Sequence, residues 1–541
     1  MMQTNPIQLT NTNRFIHHYR NERKDVMDYF DYKPFDDFKS RLEYIDKRSY
    51  KRERLATILQ TMNKKWDAPS STLKQIERLR DETSVVVIGG QQAGLLTGPL
   101  YSINKLISIV HLAKEQETQL QRPVIPVFWI AGEDHDLDEI NHIYVPNNHS
   151  IAKHRLHSDI NNKTSVSHLS IDQDKAKLWL QTAFTHLQET DYTKVLYEKI
   201  TACLEASSSY VDFFARLIFK LFPDEGIVLI DSADEDIRQL ESLLFKQLIT
   251  KQKEIATSVY KTVQSLQQTG YSIPLEAELD DAHLFFHDNY NERILLKREG
   301  ENWVGKNDEI NMSTEELMSF ATNNPKRLSN NVVSRPLAQE YLFPTLAFIG
   351  GDGEISYWAA LKDAFHHLSY QMPPVVPRIS FTYQTERMAK LLRTRVLDVK
   401  DVIENGLGKV RLNWLVHQTT PPIERLFQEV HEKITQVHTP LHHMAKEISP
   451  DLEAETVKNL EYIQGNIDYL QRKVKQKLSE QYNQQLLQFD EIENTLKPNG
   501  TFQERIWSPL PFVNEYGVEF LRLLINDKHL SIKEAHYIVK L

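Results

Sequence analysis

Two polar clusters, each following an apolar run that ends in glycine, have the residue types for chemistry. The first is Gly90-Gln91-Gln92-Ala93-Gly94-Leu95-Leu96-Thr97-Gly98-Pro99-Leu100-Tyr101-Ser102-Ile103-Asn104-Lys105, directly after the β-branched run 85–88. Glycines let a backbone turn sharply and approach a ligand closely. A helix that starts after such a loop offers unpaired N–H groups to an anion. Gly90, Gln91, Gln92, Gly94, Thr97, Gly98, Tyr101 and Asn104 are therefore candidate substrate or nucleotide contacts. Lys105, about a turn into the helix, is a candidate for stabilising developing negative charge. The loop lacks the Gly-Lys-Ser/Thr ending of a Walker A motif and does not spell Gly-x-Gly-x-x-Gly. A plain tight strand-to-helix turn is the competing explanation.

The second cluster is Glu133, Asp134, His135, Asp136, Asp138, Glu139, Asn141 and His142, after the apolar run 124–130 and Ala131-Gly132. A helix beginning near Asp134 puts His135, Asp138, Glu139 and His142 at i, i+3, i+4 and i+7, on one face. Carboxylates with histidines suit a general base or a platform for ammonium and hydroxyl groups. Asp134, His135 and Glu139 are the catalytic candidates and His142 a binding candidate. No permanent metal is expected, because ligands on one helix rarely complete a coordination shell. The alternative is an acidic first turn complementing the helix dipole.

A third segment, the run 344–349 followed by Gly350-Gly351-Asp352-Gly353-Glu354 and a helical pattern, adds Gly353, Glu354 and Tyr357. A fourth, 375–382, adds Arg378 and Ser380; an arginine there can clasp a carboxylate or phosphate bidentately.

The elements that must position these residues are short buried strands alternating with helices. That alternation, broken by insertions, predicts an α/β fold with a Rossmann-type parallel-sheet core. Core segments are expected at 1–145, 223–264 and 331–420, with insertions at 146–222 (small, β-rich at its start) and 265–330 (a hairpin). Residues 234–268 read as one long helical pattern and 226–231 as a core strand ending in Asp231. Residues 421–497 predict an antiparallel helical hairpin. Leu460, Ile463, Ile467, Leu470 and Val474 form an a/d seam, and Ile423, Leu426, Val430, Ile434 and Val437 a second stripe. Thr439-Pro440 is expected to kink or restart the first helix, and Ser449-Pro450 to cap the second. Residues 498–541 are expected to end in a strand returning to the core.

Composition excludes several classes. With 541 residues, two to four structural units are expected. A net charge of −10 without a basic stripe argues against a nucleic-acid partner. No run of about eighteen uncharged apolar residues suggests a membrane span, and the start of the chain lacks an apolar signal core. The single cysteine, Cys203, rules out an internal disulfide and fits a cytoplasmic protein. Its helical surroundings suggest packing rather than nucleophilic duty.

GQQAGLLTGPLYSINK, FWIAGEDHDLDEINH, GDGEISYWAALK and LKPNGTFQERIW, in this order over nearly the whole chain, resemble the BshC family. The resemblance implies the last step of bacillithiol biosynthesis, joining cysteine to glucosaminyl-malate to give a low-molecular-weight thiol. It also implies a nucleotidyltransferase-like Rossmann core, related in shape to cysteinyl-tRNA synthetase, with two connective-peptide-like insertions and a coiled-coil hairpin for homodimerisation. The HIGH and KMSKS signatures of those relatives are absent; the loop through Gly98 and Tyr101 stands where the first belongs, and Arg378-Ile379-Ser380 is a weak stand-in for the second. Amide formation from a free acid is uphill in water, so ATP, with or without Mg2+, is the expected activator. Under that reading Asp134, His135 or Glu139 orients cysteine's ammonium or deprotonates the attacking amine, and Arg378 holds a malate carboxylate. A non-catalytic metabolite-binding scaffold and a sugar nucleotidyl- or glycosyltransferase remain open at this point.

Overall fold

The computed structural model describes residues 2–10, 13–147, 150–157, 164–307 and 309–541. Its organising element is a five-stranded parallel sheet of β1 (Val85–Gln91), β2 (Val124–Ile130), β3 (Val228–Asp231), β4 (Thr345–Gly350) and β5 (Val375–Pro377). The order across the sheet is β5-β4-β1-β2-β3. These strands are buried throughout apart from the half-exposed end of β1 at Gln91. A β-branched, aromatic run with no polar alternation forms such a strand because helices cover both faces. The helix α1 (Leu100–Leu120) crosses from β1 to β2 and packs on both. The chain lays down β1, β2 and β3 in one direction, then returns to the far side of β1 for β4 and β5. The order reverses between β1 and β4. Open α/β sheets leave a crevice beyond the carboxyl ends of the strands at such a reversal. Gly90 is required here for packing: a Cβ on it would collide with the Trp129 carbonyl oxygen on β2.

Two insertions decorate this sheet. Between β2 and β3 the chain forms helices Gln173–Thr185, Thr193–Glu205 and Tyr210–Leu221. After β3 the expected long helical pattern is two helices, Glu235–Thr250 and Gln252–Gln268, the first capped by Asp234. The expected hairpin is Asp281–His287 paired antiparallel with Arg293–Glu299, within a five-stranded antiparallel sheet completed by Asn302–Gly305, Asn311–Ser313 and Leu328–Asn330. Part of the first insertion, 158–163, lies outside the described residues.

Two expectations need correction. No helix starts at Asp134. The backbone there folds against a distant segment, with the Val166 N–H donating to the Asp134 carbonyl at 2.7 Å and the Ser167 N–H to that of Gly132 at 3.0 Å. Only a single turn, Leu137–Ile140, is helical, and His142 opens a strand, so the four-residue face does not exist. The last strand, His536–Lys540, lies in the first unit but outside the parallel sheet. It pairs with Ser380–Gln384 and with an N-terminal strand, Gln3–Ile7, in a separate three-stranded sheet. Finally, Pro440 does not break its helix. The missing N–H costs one bond, and the helix runs on from Ile423 to Ile448.

Contacts divide the chain into two units, one of Met1–Asn147, Ala152–Glu386 and Gln503–Leu541, the other chiefly Arg387–Phe502. After α2 (Asp352–Trp358) in the first unit, the second contains α3 (Ile423–Ile448) and α4 (Pro450–Gln481), antiparallel and joined at Ser449. Ser449 Oγ accepts from the Leu452 N–H at 3.3 Å and Pro450 takes the first helical position, as the sequence predicts. His431 meets Asp468 at 2.9 Å and His438 meets Asn459 at 3.1 Å across the pair, fixing its register. Leu460, Ile463, Ile467 and Val474 are half-buried, whereas Leu470 is 52 % exposed. Asn483–Leu496 closes a small core with Met388, Leu392, Val402 and Leu407. No helix among the described residues is long and apolar enough to cross a membrane.

Candidate functional site

The carboxyl ends of β1, β2 and β4 converge on a cavity of about 350 Å³ at the sheet's reversal point. From the first cluster, Gly90, Gln91, Gln92, Tyr101 and Lys105 line it; from the others come Asp134, Gly353, Glu354, Tyr357 and Arg378. Ten residues singled out in the sequence thus share one wall. They share it because the parallel strands end together.

Lys105 is the buried centre of this wall, 1 % exposed. Its Nζ donates to the Gly90 carbonyl at 2.7 Å, to Gln91 Oε1 at 3.2 Å and to Glu354 Oε2. Three donors are thereby used, so the ammonium holds the strand end and Glu354 rather than reaching into open space. Glu354 also accepts from the Gly351 N–H at 2.9 Å, capping α2. Burial alone would raise its pKa, but Lys105 and Arg335 outweigh it and hold the carboxyl below its ordinary value. The Arg335 guanidinium lies 3.8 Å from Glu354 Oε1.

Asp134 accepts from Gln92 Nε2 at 2.6 Å and from the His135 N–H at 2.8 Å, with Arg293 at 3.9 Å. Burial pushes its pKa up, and the Gln92 bond and Arg293 push it further down, so the group is an anion. An ionised, half-buried carboxylate at a strand end suits an ammonium or amine ligand. His135 sits against Arg293, Nδ1 to Nη1 at 3.4 Å, and edge-on to Phe285.

Ala131, Asp134 and Arg335 also belong to a second cavity of about 560 Å³, whose far wall is the antiparallel insertion. His135, Glu133, His283, Arg293, Asn330 and Asn331 line it. The two cavities therefore meet at Asp134 and Arg335. Glu133 is buried, and its pKa is raised by desolvation against the pull of Arg238, Arg293 and Arg335.

Several expected contacts lie elsewhere. Gly94, Thr97 and Gly98 are not at the cavity. The Gly94 N–H donates to Gln92 O at 3.0 Å and that of Gly98 to Leu95 O at 2.9 Å, so the loop spends its donors on itself. Leu95 and Leu96 are buried and draw the turn against helix Tyr210–Leu221. The turn accepts left-handed backbone at Leu96 (φ 49°), Thr97 (φ 70°) and Gly98 (φ 71°) to do so. The turn packs on that helix and away from the cavity. Glu139 is exposed outside either cavity, and His142 sits edge-on to Tyr144 with its pKa pushed down to about 4 by burial. Asn104 and Ser380 act through Glu504, donating to it at 2.6 and 3.1 Å. Arg378 lines the cavity, but both its terminal nitrogens clasp Glu504, at 2.6 and 2.7 Å. A role for these nitrogens in holding a substrate carboxylate would require breaking that pair. Cys203 is buried on helix Thr193–Glu205, and burial raises its thiol pKa, as expected of a packing residue.

Glu504 and Arg505 belong to the fourth resembling segment and Glu133 to the second cluster, so their motifs were visible although their roles were not. Arg335 carried no local signal: its partner Glu354 is nineteen residues away, across β4.

The chain matches two family models, "Bacillithiol biosynthesis BshC, N-terminal Rossmann-like domain" over residues 2–379 and "Bacillithiol biosynthesis BshC, C-terminal coiled-coil domain" over residues 381–541. A protein of Oceanobacillus iheyensis named "Putative cysteine ligase BshC" is 42 % identical over the whole of both chains. Its namesake in Bacillus cytotoxicus is 42 % identical over 93 % of each chain, and that in Bacillus thuringiensis subsp. konkukian 40 % identical over 97 % of each. Both domains are matched, and the identity extends from end to end: the chain belongs to the BshC family of bacillithiol biosynthesis.

Proposed function

We propose that the protein is an amide-forming ligase that joins the carboxyl group of cysteine to the amine of glucosaminyl-malate, with ATP activating the acid. The observation that carries this reading is the pair of cavities meeting at Asp134, an ionised carboxylate at the end of β2. An amide synthesis needs two substrates brought together at one point, with a carboxylate there to receive an ammonium and take up the proton lost by the amine. The activated cysteine occupies the cavity at the sheet's reversal point and the amine arrives from the second cavity. Because Gly94, Thr97 and Gly98 do not line this cavity, phosphate contacts there fall to side chains of its wall, Arg505 among them. Lys105 and Glu354 are positioning residues that fix the strand end and α2 around that space.

The hairpin pairs two copies of the chain. Val437, Leu441, Met444 and Ile448, spaced i, i+4, i+7 and i+11 on α3, are 77, 50, 55 and 64 % exposed, an apolar stripe that α4 leaves uncovered.

Ligand-dependent thermal stabilisation tests the ligase reading. At about a hundred times its dissociation constant a ligand adds about 2.7 kcal/mol. Cysteine, glucosaminyl-malate and ATP each raise the melting temperature if the reading holds. A shift with a sugar nucleotide and none with cysteine identifies a sugar transferase instead.

A further inference from the structure

The second cavity carries unspent hydrogen-bonding capacity. His283 lines it, 3 % exposed, in an irregular stretch of strand Asp281–His287 where the backbone turns left-handed (φ 55°). Its tautomer is fixed by a short chain of bonds. Asn331 Oδ1 accepts from the Val333 and Ser334 N–H groups at 2.8 and 3.0 Å, which turns Asn331 Nδ2 toward His283 Nδ1 at 3.4 Å. An amide NH2 facing Nδ1 makes that nitrogen the acceptor and leaves the proton on Nε2. That Nε2–H is buried and has no hydrogen-bond partner among the described residues. Arg335 Nε and Asn330 Oδ1, on the same cavity wall, are also buried and unpartnered. Three residues lining one cavity thus hold two unmet donors and one unmet acceptor. A buried polar atom without a partner destabilises the fold unless something fills the site.

We propose that His283 Nε2, Arg335 Nε and Asn330 Oδ1 form the subsite that recognises the acceptor substrate, with the two donors on a carboxylate and the acceptor on a sugar hydroxyl. This deepens the ligase reading and rests on it. The ligand class follows from the inventory: a hydroxylated carboxylate supplies acceptors for two N–H groups and one O–H for the amide oxygen. The carboxylates of the cavity are matched by cations or turned to solvent: Glu133 faces Arg238 at 3.6 Å and Asp134 faces Arg293 at 3.9 Å. Glu276 and Glu278 are exposed, Glu278 is paired with Lys297, and Asp281 accepts from the Glu278 N–H at 2.8 Å. Arg335 and Asp134 lie on the wall shared with the other cavity, so a ligand anchored here is next to it.

The test is calorimetric titration of glucosaminyl-malate and of free malate into the full chain, His283→Gly and His283→Asn. Glycine adopts the left-handed backbone freely and asparagine tolerates it, so both variants keep the strand. Expected is a loss of affinity of about tenfold or more in both variants for both ligands, with melting temperatures near that of the parent. Unchanged affinity of glucosaminyl-malate in both variants overturns the subsite. Malate bound in a His283-dependent way while glucosaminyl-malate does not bind the parent overturns the ligase reading and leaves a carboxylate site. Binding of neither ligand to the parent overturns both.

Discussion

Substituting Lys105 with methionine is the sharpest perturbation of the cavity wall. Methionine fills much of the lysine volume but removes three donated bonds, to Gly90 O, Gln91 Oε1 and Glu354 Oε2. It leaves Glu354 ionised beside an apolar side chain. Breaking a buried ion pair by deleting one partner costs about 3–5 kcal/mol. Here Arg335 at 3.8 Å and the Gly351 N–H at 2.9 Å still serve Glu354, so the lower end, about 3 kcal/mol, is expected. Pairing the substitution with Glu354→Gln removes the stranded charge while an amide still caps α2. The double variant is then more stable than the sum of the single losses by at least about 1 kcal/mol. The pair also sets a pH dependence. Because the folded pKa of Glu354 lies below its unfolded value, its stabilisation is present above about pH 4.3 and is lost as the pH falls through the folded pKa. Urea unfolding of the four proteins, followed by tryptophan fluorescence between about pH 2.5 and 7, measures both effects. A Lys105→Met loss below about 1 kcal/mol, or strict additivity in the double variant, refutes the ion pair as the wall's anchor.

Other expectations follow from single contacts. Asp134→Asn keeps the fold and lowers the rate of thiol product formation about a hundredfold or more, as loss of a general base does, measured by steady-state kinetics beside a melting curve. Cys203→Ser retains activity within about twofold, because a buried thiol raised in pKa is no nucleophile at neutral pH; an inactive, folded variant contradicts this. Leu441→Glu with Ile448→Lys, on the exposed stripe of α3, converts a dimer to a monomer in light scattering while the first unit stays folded. A parent chain monomeric at micromolar concentration contradicts the pairing.

The parallel strands were legible because they are short apolar runs, three of them stopped by glycine, and the convergence of their ends follows from that topology alone. Two features misled. The glycines of 94–98 read equally as a ligand cradle or a packing turn, and the deciding residues were Leu95 and Leu96, whose burial pulls the turn inward. The acidic run from Asp134 has a helix's spacing, but its backbone is claimed by residues 165–167, a pairing that no local pattern announces. Distance in sequence also hid Glu504, which meets Arg378 across 126 residues, and His283, whose left-handed backbone lies where the pairing of its strand is interrupted. The seam on α4 was visible as apolar periodicity, yet periodicity does not say which partner covers it. Leu460, Ile463, Ile467 and Val474 are half-buried, and Leu470 is more than half exposed.

The most direct measurement incubates the purified chain with cysteine, glucosaminyl-malate and ATP and follows thiol product and nucleotide together by mass spectrometry. The account predicts a product with the mass of bacillithiol, formed in step with ATP consumption, and AMP or ADP identifies how the acid is activated. Intact ATP with no thiol product from a folded protein that binds all three compounds would contradict it.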